Sequence, residues 1–523
     1  MKRIASLLLG LAMAAAALSG CGAQGRETAA QEFPDAVSIV LSDDGIIVDG
    51  KAVSTDESAA VHTAHDIVCY ESGRDFTYGE GTEADEHTAE EAEAHTVVHI
   101  TQPGTYALSG ILSAGQIAVD LGEDAEDDPA AVVTLILNGV DITCTVAPAV
   151  IFYNVYECGS TDEDTASETV DTSAAGANVL IADGTINNVT GSYVARIYDP
   201  DSVVLSEDGM TVEDSGKLHK YDGAFYSKMS MNVDGGEAGT GVLNITADNE
   251  GLDTELHLTI NGGTINITSG NDGINTNEDN VSVTTVNGGS VNIQVTGETG
   301  EGDGIDSNGW LVINGGAVTA AACSDSGDAG IDATMGITIN GGTVAASGNM
   351  YDQIDGGAQN YVVFSFASRQ NGGQTYTLQN ADGETVGTWT PANDFTCLVV
   401  SSPDLTAGDY TLWQGDTQLA GTMSDGVGGP GGGRHMGGEA PPADLDPWQV
   451  PENAGSEVPG DPPERPDGEM EPDGRESPAG GRGPGGGEGG QSAAGLSKTF
   501  TLSDGGSFFN GLSPTETTEA SET

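Results

Sequence analysis

A three-residue motif that occurs five times, at an almost fixed spacing, constrains this chain more than any other feature. Successive copies are separated by 27, 26, 27 and 26 residues. A fixed period of this length predicts a repeat architecture, in which each unit stacks on the next. The five copies are Asp234-Gly235-Gly236, Asn261-Gly262-Gly263, Asn287-Gly288-Gly289, Asn314-Gly315-Gly316 and Asn340-Gly341-Gly342.

The segments around these motifs have the pattern of short β-strands, as in His257-Leu258-Thr259-Ile260 and Thr264-Ile265-Asn266-Ile267. Apolar and polar residues alternate, and β-branched residues dominate the apolar positions, as strands prefer. The glycines allow the positive φ that a repeated corner needs. We therefore predict an all-β fold, a right-handed parallel β-helix whose coils bury a continuous core. The alternative is a β-sandwich with similar hairpins, which would not hold the period to within one residue.

Composition changes predict how the chain is divided. Irregular coils at 37–222 precede the regular repeats at 223–357, and residues 358–425 form a small antiparallel β cap over the open end of the helix. Residues 426–495 are rich in Gly, Pro and acidic residues, so we predict a disordered loop. Residues 496–511 return as strands of the cap, and residues 512–523 form a disordered tail.

The N-terminus has the pattern of an export signal. Lys2 and Arg3 precede the apolar run Ile4 to Leu18, and Leu18-Ser19-Gly20-Cys21 follows. This motif resembles a bacterial lipobox, which implies a signal peptide at 1–20, a diacylglyceryl group on Cys21 and a lipidated tether at 21–36. The alternative is an ordinary secretory signal. No second apolar run approaches the ~18 residues that span a bilayer, so we predict a lipoprotein on the extracellular side of a bacterial membrane, held by its lipid alone.

The formal charge of −66, from 15 basic and 81 acidic side chains, excludes nucleic acid as a partner because phosphate would be repelled. It favours an exported protein that meets cations, which would relieve the self-repulsion. Five cysteines remain besides Cys21, and their spacings match no zinc pattern. Cys144 and Cys158 could pair. Scattered histidines such as His87 and His95 lie among acidic residues and favour solvated surface over a metal site.

A second element of each repeat places an acidic or amide residue at one corner of each coil. Equivalent positions stack about 4.8 Å apart in a β-helix, where carboxylates repel unless a cation bridges them. Ca²⁺ takes six to eight oxygen ligands from carboxylates, amides and backbone carbonyls, so we predict calcium at this edge. The alternative is that Asp and Asn serve as corner residues that bond their own backbone. The candidate metal ligands are Asp253, Asp272, Asn275, Asp303, Asp306, Asp328, Asp332 and Asp355.

An enzyme is the second interpretation, because parallel β-helices carry polysaccharide lyases and glycosidases. A lyase needs Lys or Arg as the base that takes a proton from the uronic acid, and the sequence between Asn249 and Asp355 contains neither. Lys228, at the early end of the repeats, is the candidate base. A hydrolase needs paired carboxylates, which occur equally in every coil. Because a catalytic site breaks repeat symmetry and no such break is seen, we predict no enzyme activity.

Several motifs resemble the carbohydrate-binding proteins of the clostridial cellulose- and pectin-binding type, whose β-helix is related to family 9 pectate lyases. These motifs are Gly104-Thr105-Tyr106, Leu108-Ser109-Gly110, Tyr226-Ser227-Lys228, and the Asp-Gly-Ile-Asp/Asn and Asn-Gly-Gly-Thr repeats. The resemblance covers roughly residues 37 to 425. It implies binding of cellulose or acidic pectic sugars, calcium in the fold, and no demonstrated catalysis.

The candidate carbohydrate ligands are Trp310, Tyr351 and Lys228. Trp310 and Tyr351 are the only large aromatic residues between Asp234 and Gly357. Scarce stacking surface favours calcium-bridged recognition of uronate over stacking on neutral glucan. We therefore expect a monomeric, lipid-anchored protein that binds acidic, pectin-like or cellulosic polysaccharide at the cell surface without cleaving it. A lyase or hydrolase, and a surface adhesin or stalk, are the alternatives.

Overall fold

The structure is a computed structural model that describes residues 31–424 and 496–514. Within them the protein is all-β, as predicted, with one short α-helix, α1 (Ala89–Glu93), and one 3-10 helix (Glu123–Asp127). None of the helices in these two ranges has the length and apolar character needed to cross a bilayer. The predicted signal peptide, Cys21, the predicted loop at 426–495 and tail residues 515–523 lie outside the described residues.

Fifteen strands precede the regular repeats. They are β1 (Val37–Leu41), β2 (Ile47–Val48), β3 (Lys51–Ala52), β4 (Val61–Ala64), β5 (Thr96–Ile100), β6 (Gly104–Leu112), β7 (Gly115–Val119), β8 (Val133–Thr143), β9 (Val150–Phe152), β10 (Ala177–Ile181), β11 (Ile186–Gly191), β12 (Val194–Tyr198), β13 (Val204–Leu205), β14 (Val212–Asp214) and β15 (Lys217–Tyr221).

The regular repeats contain the next fifteen strands. They are β16 (Gly223–Ser227), β17 (Met231–Gly235), β18 (Val242–Ala247), β19 (Glu250–Thr254), β20 (Leu258–Ile260), β21 (Thr264–Ser269), β22 (Ile274–Thr276), β23 (Val283–Val286), β24 (Ser290–Val295), β25 (Ile305–Ser307), β26 (Trp310–Ile313), β27 (Ala317–Ala321), β28 (Gly336–Ile339), β29 (Thr343–Gly348) and β30 (Ile354–Gly356).

The C-terminal strands form a further module. They are β31 (Tyr361–Gln370), β32 (Tyr376–Asn380), β33 (Thr385–Trp389), β34 (Phe395–Ser401), β35 (Gly408–Gln414), β36 (Thr417–Ser424), β37 (Phe500–Leu502) and β38 (Gly506–Pro514).

Parallel pairing arranges most of the strands before β31 into three ladders. The first ladder is β1-β6-β8-β10-β17-β20-β23-β26-β28-β30. The second is β8-β11-β18-β21-β24-β27-β29. The third is β5-β7-β9-β16-β19-β22-β25. From β16 to β27 the chain visits the third, first and second ladders in turn, so each repeat adds one strand to each ladder.

The sequence period is the spacing between partners in a ladder. In the first ladder Ile260 pairs with Val286, Val286 with Ile313, and Ile313 with Ile339. All four side chains are at most 1% exposed and belong to one hydrophobic cluster. Leu252 of the third ladder and Ile267 of the second belong to the same cluster. The three ladders therefore share a single core.

The Asn-Gly-Gly corners repeat their contacts as well as their sequence. The side-chain amides of Asn287, Asn314 and Asn340 each donate to the amide oxygen of the preceding Asn at 2.9 Å. The second glycine has a positive φ, as at Gly289 with 79°. The corner thus requires glycine for its backbone and Asn for a ladder of side-chain hydrogen bonds.

The C-terminal module is antiparallel and has its own core. Strand β34 pairs antiparallel with β29 of the second ladder and with β31. Strand β38 lies between β31 and β36, and β37 pairs with β35. Residues on the two sides of 425–495 therefore share one sheet. The rings of Phe364, Phe500 and Phe509 pack together in its core.

The possible disulfide between Cys144 and Cys158 does not form. Both cysteines are free, as are Cys69, Cys323 and Cys397. Cys144 is fully buried in the shared core, whereas Cys158 is only partly buried and contacts the carbonyl of Asp171. Cys144 therefore serves as a small apolar core residue.

Replacing Gly289 by Ala is expected to destabilise the protein. The backbone there has φ of 79°, and an added Cβ would lie 2.6 Å from the carbonyl oxygen of Gly263. The backbone conformation alone costs about 1–3 kcal/mol for a non-glycine residue, and the close contact adds to it. Gly327→Ala is the matched control, because its added Cβ meets nothing within 4 Å. Denaturant unfolding should give a lower midpoint for Gly289→Ala only; equal midpoints would contradict this account.

Candidate metal centre and adjoining cleft

The third ladder aligns three of the eight predicted metal ligands in a row. Asp253 pairs with Asn275, and Asn275 pairs with Asp306. Their neighbours Leu252, Ile274 and Ile305 are fully buried in the shared core. Because successive side chains of a strand point to opposite faces, the polar side chains point away from that core. Parallel pairing places them about 4.8 Å apart.

Three carboxylates converge at the early end of this row. Asp222, Glu250 and Asp253 each offer an oxygen, and these oxygens lie within 4.8 Å of one another. We name these three residues the buried acid cluster. Glu250 is 5% exposed and Asp253 is 0% exposed. Carboxylates in such surroundings lose hydration and repel one another, so they need a proton or a cation.

Hydrogen bonds satisfy only part of this cluster. The amide of Asn275 donates to Glu250 Oε1 at 3.1 Å, and the amide of Asn277 donates to Asp253 Oδ1 at 2.6 Å. Three buried oxygens have no hydrogen-bond partner: Glu250 Oε2, Asp253 Oδ2 and Asn275 Oδ1. Buried polar atoms in native proteins are normally paired, so these three oxygens indicate a site for an additional ligand.

Burial raises the pKa of Glu250 and of Asp253 well above the ordinary carboxyl range, and repulsion between neighbouring carboxylates adds to the effect. Burial also raises the pKa of Asp222, although Lys220 opposes that shift. The Lys220 ammonium lies 3.1 Å from Asp222 Oδ2. Lys220 belongs to β15, which pairs antiparallel with β12 outside the three ladders.

A second group of carboxylates lies further along the same edge. Oxygens of Asp303, Asp306 and Asp332 lie within 4.8 Å of one another. Burial raises the pKa of Asp306 to about 6 and that of Asp332 to about 7. Repulsion from the neighbouring carboxylate of Asp352 contributes to both shifts. We name Asp303, Asp306 and Asp332 the second acid cluster.

The buried acid cluster fits a hard cation. Calcium binds carboxylate and amide oxygens in flexible geometry, and the cluster offers three carboxylates together with the unpaired amide oxygen of Asn275. Zinc and other soft metals prefer Cys or His ligands, and neither type belongs to the cluster. The donor set therefore matches calcium.

A cleft of about 860 Å³ adjoins the buried acid cluster at Lys220, which lines the cleft and contacts Asp222, whereas the three cluster residues do not line it. Tyr153, Tyr221 and Tyr226 pack against one another along it, with ring centroids 5.5 and 5.1 Å apart. The hydroxyl of Tyr226 donates to Glu255 at 2.6 Å. Acidic side chains in the lining outnumber basic ones by eight to three. The acidic residues are Asp66, Asp120, Glu123, Glu126, Asp127, Glu157, Glu255 and Glu278, and the basic ones are Lys217, Lys220 and Lys228.

Three of the predicted metal ligands also hold neighbouring repeats together. Asp272 accepts from the backbone N–H of Asp303, and Asp303 from that of Ala329, each at 2.6 Å. Asp328 accepts from the N–H of Gly302 at 2.6 Å. These contacts are to the backbone of a neighbouring repeat, so they differ from the alternative in which corner Asp residues bond their own backbone. Asp303 combines this role with membership of the second acid cluster.

Asp355 does not continue the row. It lies on β30, which pairs with β28 in the first ladder, because the chain passes from β29 to β30 without adding a strand to the third ladder. Asp355 is exposed and accepts from the side chain of Gln353 at 2.8 Å. Asp352 is the residue whose carboxylate reaches the repeat of Asp332, accepting from the N–H of Ala333 at 3.3 Å.

The structure separates the three predicted carbohydrate ligands. Trp310 lies on β26 in the first ladder, away from the acidic row. Tyr351 is 8% exposed and packs against Phe508, which leaves little ring surface for a sugar. Lys228 lines the cleft, where its ammonium contacts Glu126 at 3.0 Å.

Asp222, Glu250 and Lys220 are site residues that the sequence interpretation missed. The repeat contains a usable pattern for one of them: Glu250 precedes Gly251 just as Asp272 precedes Gly273 and Asp303 precedes Gly304. Lys220 comes from a hairpin outside the repeats. It contacts the cluster through Asp222, two positions later, and the repeat period does not include that pair.

Comparison with known proteins assigns more than half of the chain to a family. The family described as carbohydrate-binding domain-containing protein matches residues 94–383, more than half of the 523 residues. A curated relative of that description, from Acetivibrio thermocellus, is 29% identical over 126 residues, which cover 23% of this chain and only 35% of the relative. A solved polysaccharide lyase-like protein from C. thermocellum, a gadolinium derivative, aligns over 59% of this chain and 93% of its own, at 20% identity and a TM-score of 0.32.

Without divalent metal, the second acid cluster should make the protein less stable as the pH rises from 5 to 8. The pKa values of Asp306 and Asp332 are raised to about 6 and about 7, whereas in the unfolded chain both ionise near pH ~3.9. The folded state therefore holds more protons over this range, so its stability falls as the pH rises.

The measurement is the unfolding temperature in EDTA at pH 5, 6, 7 and 8. The double variant Asp306→Asn/Asp332→Asn should lose less stability over this range than the parent. Asp382→Asn, on an exposed turn between β32 and β33, should follow the parent. The same pH slope in the parent and the double variant would refute the assignment.

Proposed function

Because the chain belongs to the family of carbohydrate-binding domain-containing proteins, we propose that it binds acidic polysaccharide through Ca²⁺ held by the buried acid cluster. The observation that carries the proposal is the set of unpaired buried oxygens on Glu250, Asp253 and Asn275. These oxygens form a ready donor set beside the cleft. Calcium bound there neutralises part of the cluster and supplies positive charge at the cleft.

The scaffold of this proposal is a right-handed parallel β-helix with a C-terminal antiparallel cap. Three parallel ladders around one core, visited in a fixed order by each repeat, support it. The antiparallel pairing of β34 with β29 at the end of the second ladder supports the cap. On such a scaffold Glu250, Asp253 and Asn275 are held firmly, because β19 and β22 each pair with another strand on both sides.

We favour an acidic sugar polymer as the ligand, because an acidic cleft needs a cation in order to bind one. The cleft carries eight acidic and three basic side chains, so it would repel a polyuronate in the absence of metal. Calcium adds two positive charges next to this lining and so weakens the repulsion, and it can share its coordination with a sugar carboxylate. A neutral glucan such as cellulose would depend on stacking, yet Tyr221 and Tyr226 are 7% and 2% exposed. Pectin-like polymers are therefore the favoured class.

We place this activity at the cell surface. The lipobox-like Leu18-Ser19-Gly20-Cys21 supports a lipid anchor on Cys21 as the sole attachment to the membrane. The charge of −66 supports a monomer that stays dispersed. A protein held in this way would retain polysaccharide near the cell without cutting it.

A lyase is the second candidate, and the observation that favours it is the presence of three lysines in the cleft. A base must be neutral, but the Asp222 carboxylate raises the pKa of Lys220 above its ordinary value. Lys228 is the alternative base. Product with ultraviolet absorbance from polygalacturonate, lost in Lys228→Ala, would place the lyase ahead of the binding protein.

Binding to polygalacturonate should require calcium and Asp253. Pull-down in Ca²⁺ buffer should retain the protein, and EDTA or Asp253→Asn should reduce retention by about tenfold or more, since each removes charge-assisted contacts. Asp382→Asn is the matched control and should bind like the parent. A parallel pull-down on cellulose tests the neutral ligand. Retention that survives EDTA would refute calcium-bridged binding.

A further inference from the structure

Among the residues that the structure describes, Lys220 is the one basic residue that lines the cleft and contacts the buried acid cluster. Its ammonium contacts Asp222 Oδ2 at 3.1 Å, and its side chain remains 44% exposed. The other two lysines of the cleft have partners outside the cluster. Lys217 contacts Glu255 and Lys228 contacts Glu126, each at 3.0 Å.

We propose that Lys220 occupies the cluster as its resident counter-ion, that calcium displaces it, and that the released ammonium binds a uronate carboxylate in the cleft. This inference rests on the proposed function, since it requires calcium at the buried acid cluster. It identifies Lys220 as the residue that selects acidic sugars.

Competition for one carboxylate drives the displacement. Calcium binds carboxylate oxygens at 2.3–2.6 Å, and the Lys220 ammonium already lies 3.1 Å from an oxygen of Asp222. Two cations on one small carboxylate repel each other strongly where water is partly excluded. Calcium binds the cluster more strongly than the Lys220 ammonium does, because Glu250 and Asp253 each offer it an oxygen that the ammonium leaves unpaired.

The geometry lets Lys220 move without disturbing the scaffold. Its strand, β15, pairs with β12 in a separate two-stranded sheet rather than in one of the three ladders. A lysine stem has four flexible carbons, and the half-exposed side chain of Lys220 lines the cleft. The released ammonium therefore reaches the cleft by rotation of its own side chain.

The consequence is ordered binding. Before calcium binds, Lys220 is held by Asp222 and the cleft has a large excess of negative charge. After calcium binds, the metal and the free ammonium present two positive groups side by side. An acidic sugar can then receive a charge-assisted hydrogen bond from Lys220, whereas a neutral sugar gains nothing from its release.

Titration calorimetry of Ca²⁺ into the full chain, followed by oligogalacturonate at saturating Ca²⁺, tests this order. Lys220→Met should bind Ca²⁺ about 2- to 10-fold more tightly, because its competitor is gone. The same variant should bind oligogalacturonate about tenfold or more weakly, because a hydrogen bond to a charged group is lost. Lys220→Arg should keep the sugar affinity within a few-fold of the parent.

Two further variants serve as controls. Lys228→Met removes a cleft lysine that does not touch the cluster, so its Ca²⁺ affinity should equal that of the parent. Lys51→Met, on an exposed strand end, should match the parent for both ligands. Thermal unfolding in EDTA checks that each variant is folded.

The outcomes distinguish a failure of the role proposed for Lys220 from a failure of the proposed calcium-dependent binding. Failure of the parent to bind Ca²⁺ overturns the proposed function. Calcium binding by the parent with unchanged Ca²⁺ and sugar affinities in Lys220→Met overturns only the role of Lys220. Weaker binding of both ligands by a folded Lys220→Met also overturns it, because that result assigns Lys220 to holding the cluster together.

Discussion

Parallel strand pairing in register is the constraint on which the rest of this structure depends. It aligns each repeat with the next residue by residue, so a side chain at one position meets its own equivalent about 4.8 Å away. For apolar positions such as Ile260, Val286 and Ile313 the result is a continuous core. For Asn positions it is a ladder of amide hydrogen bonds. For acidic positions it is repulsion, which only a cation, a proton or a backbone N–H can relieve.

The acidic residues along this edge of the repeats meet this repulsion in different ways. Asp272 and Asp328 accept from backbone N–H groups of neighbouring repeats and so hold those repeats together. Glu250, at the position equivalent to Asp272, is 5% exposed and has an oxygen left unpaired. A repeat protein can thus use one corner residue for stability in some units and as a ligand in others. What distinguishes the units is the surrounding chain, above all the non-repeating strand β15, whose Lys220 contacts Asp222.

The all-β class and the division into repeats follow from the sequence, because a ladder converts sequence period directly into spatial neighbours. The row Asp253, Asn275 and Asp306 follows for the same reason. Asp355 departs from the row because the third ladder ends at β25 and β30 pairs with β28 in the first ladder, a change that the motif conceals. Tyr351 was a candidate sugar ligand by residue type, but Phe508, more than 150 positions later, packs against it. Lys220 contacts Asp222 only two positions away, but both precede the regular strands of the repeats, so the period does not include that pair. The repeat period predicts which residues lie next to each other within the repeats. It does not predict which other segments of the chain pack against them.

The C-terminal module has a consequence for the integrity of the molecule. Its sheet places β38 between β31 and β36, and the ring of Phe509 packs against those of Phe364 and Phe500. The covalent link between β36 and β37 runs through residues 425–495, yet the two sides are joined again by backbone hydrogen bonds and a common core. A protease that severed that link would produce two polypeptides but one particle. The short C-terminal fragment would remain attached to the body of the protein as a non-covalent subunit.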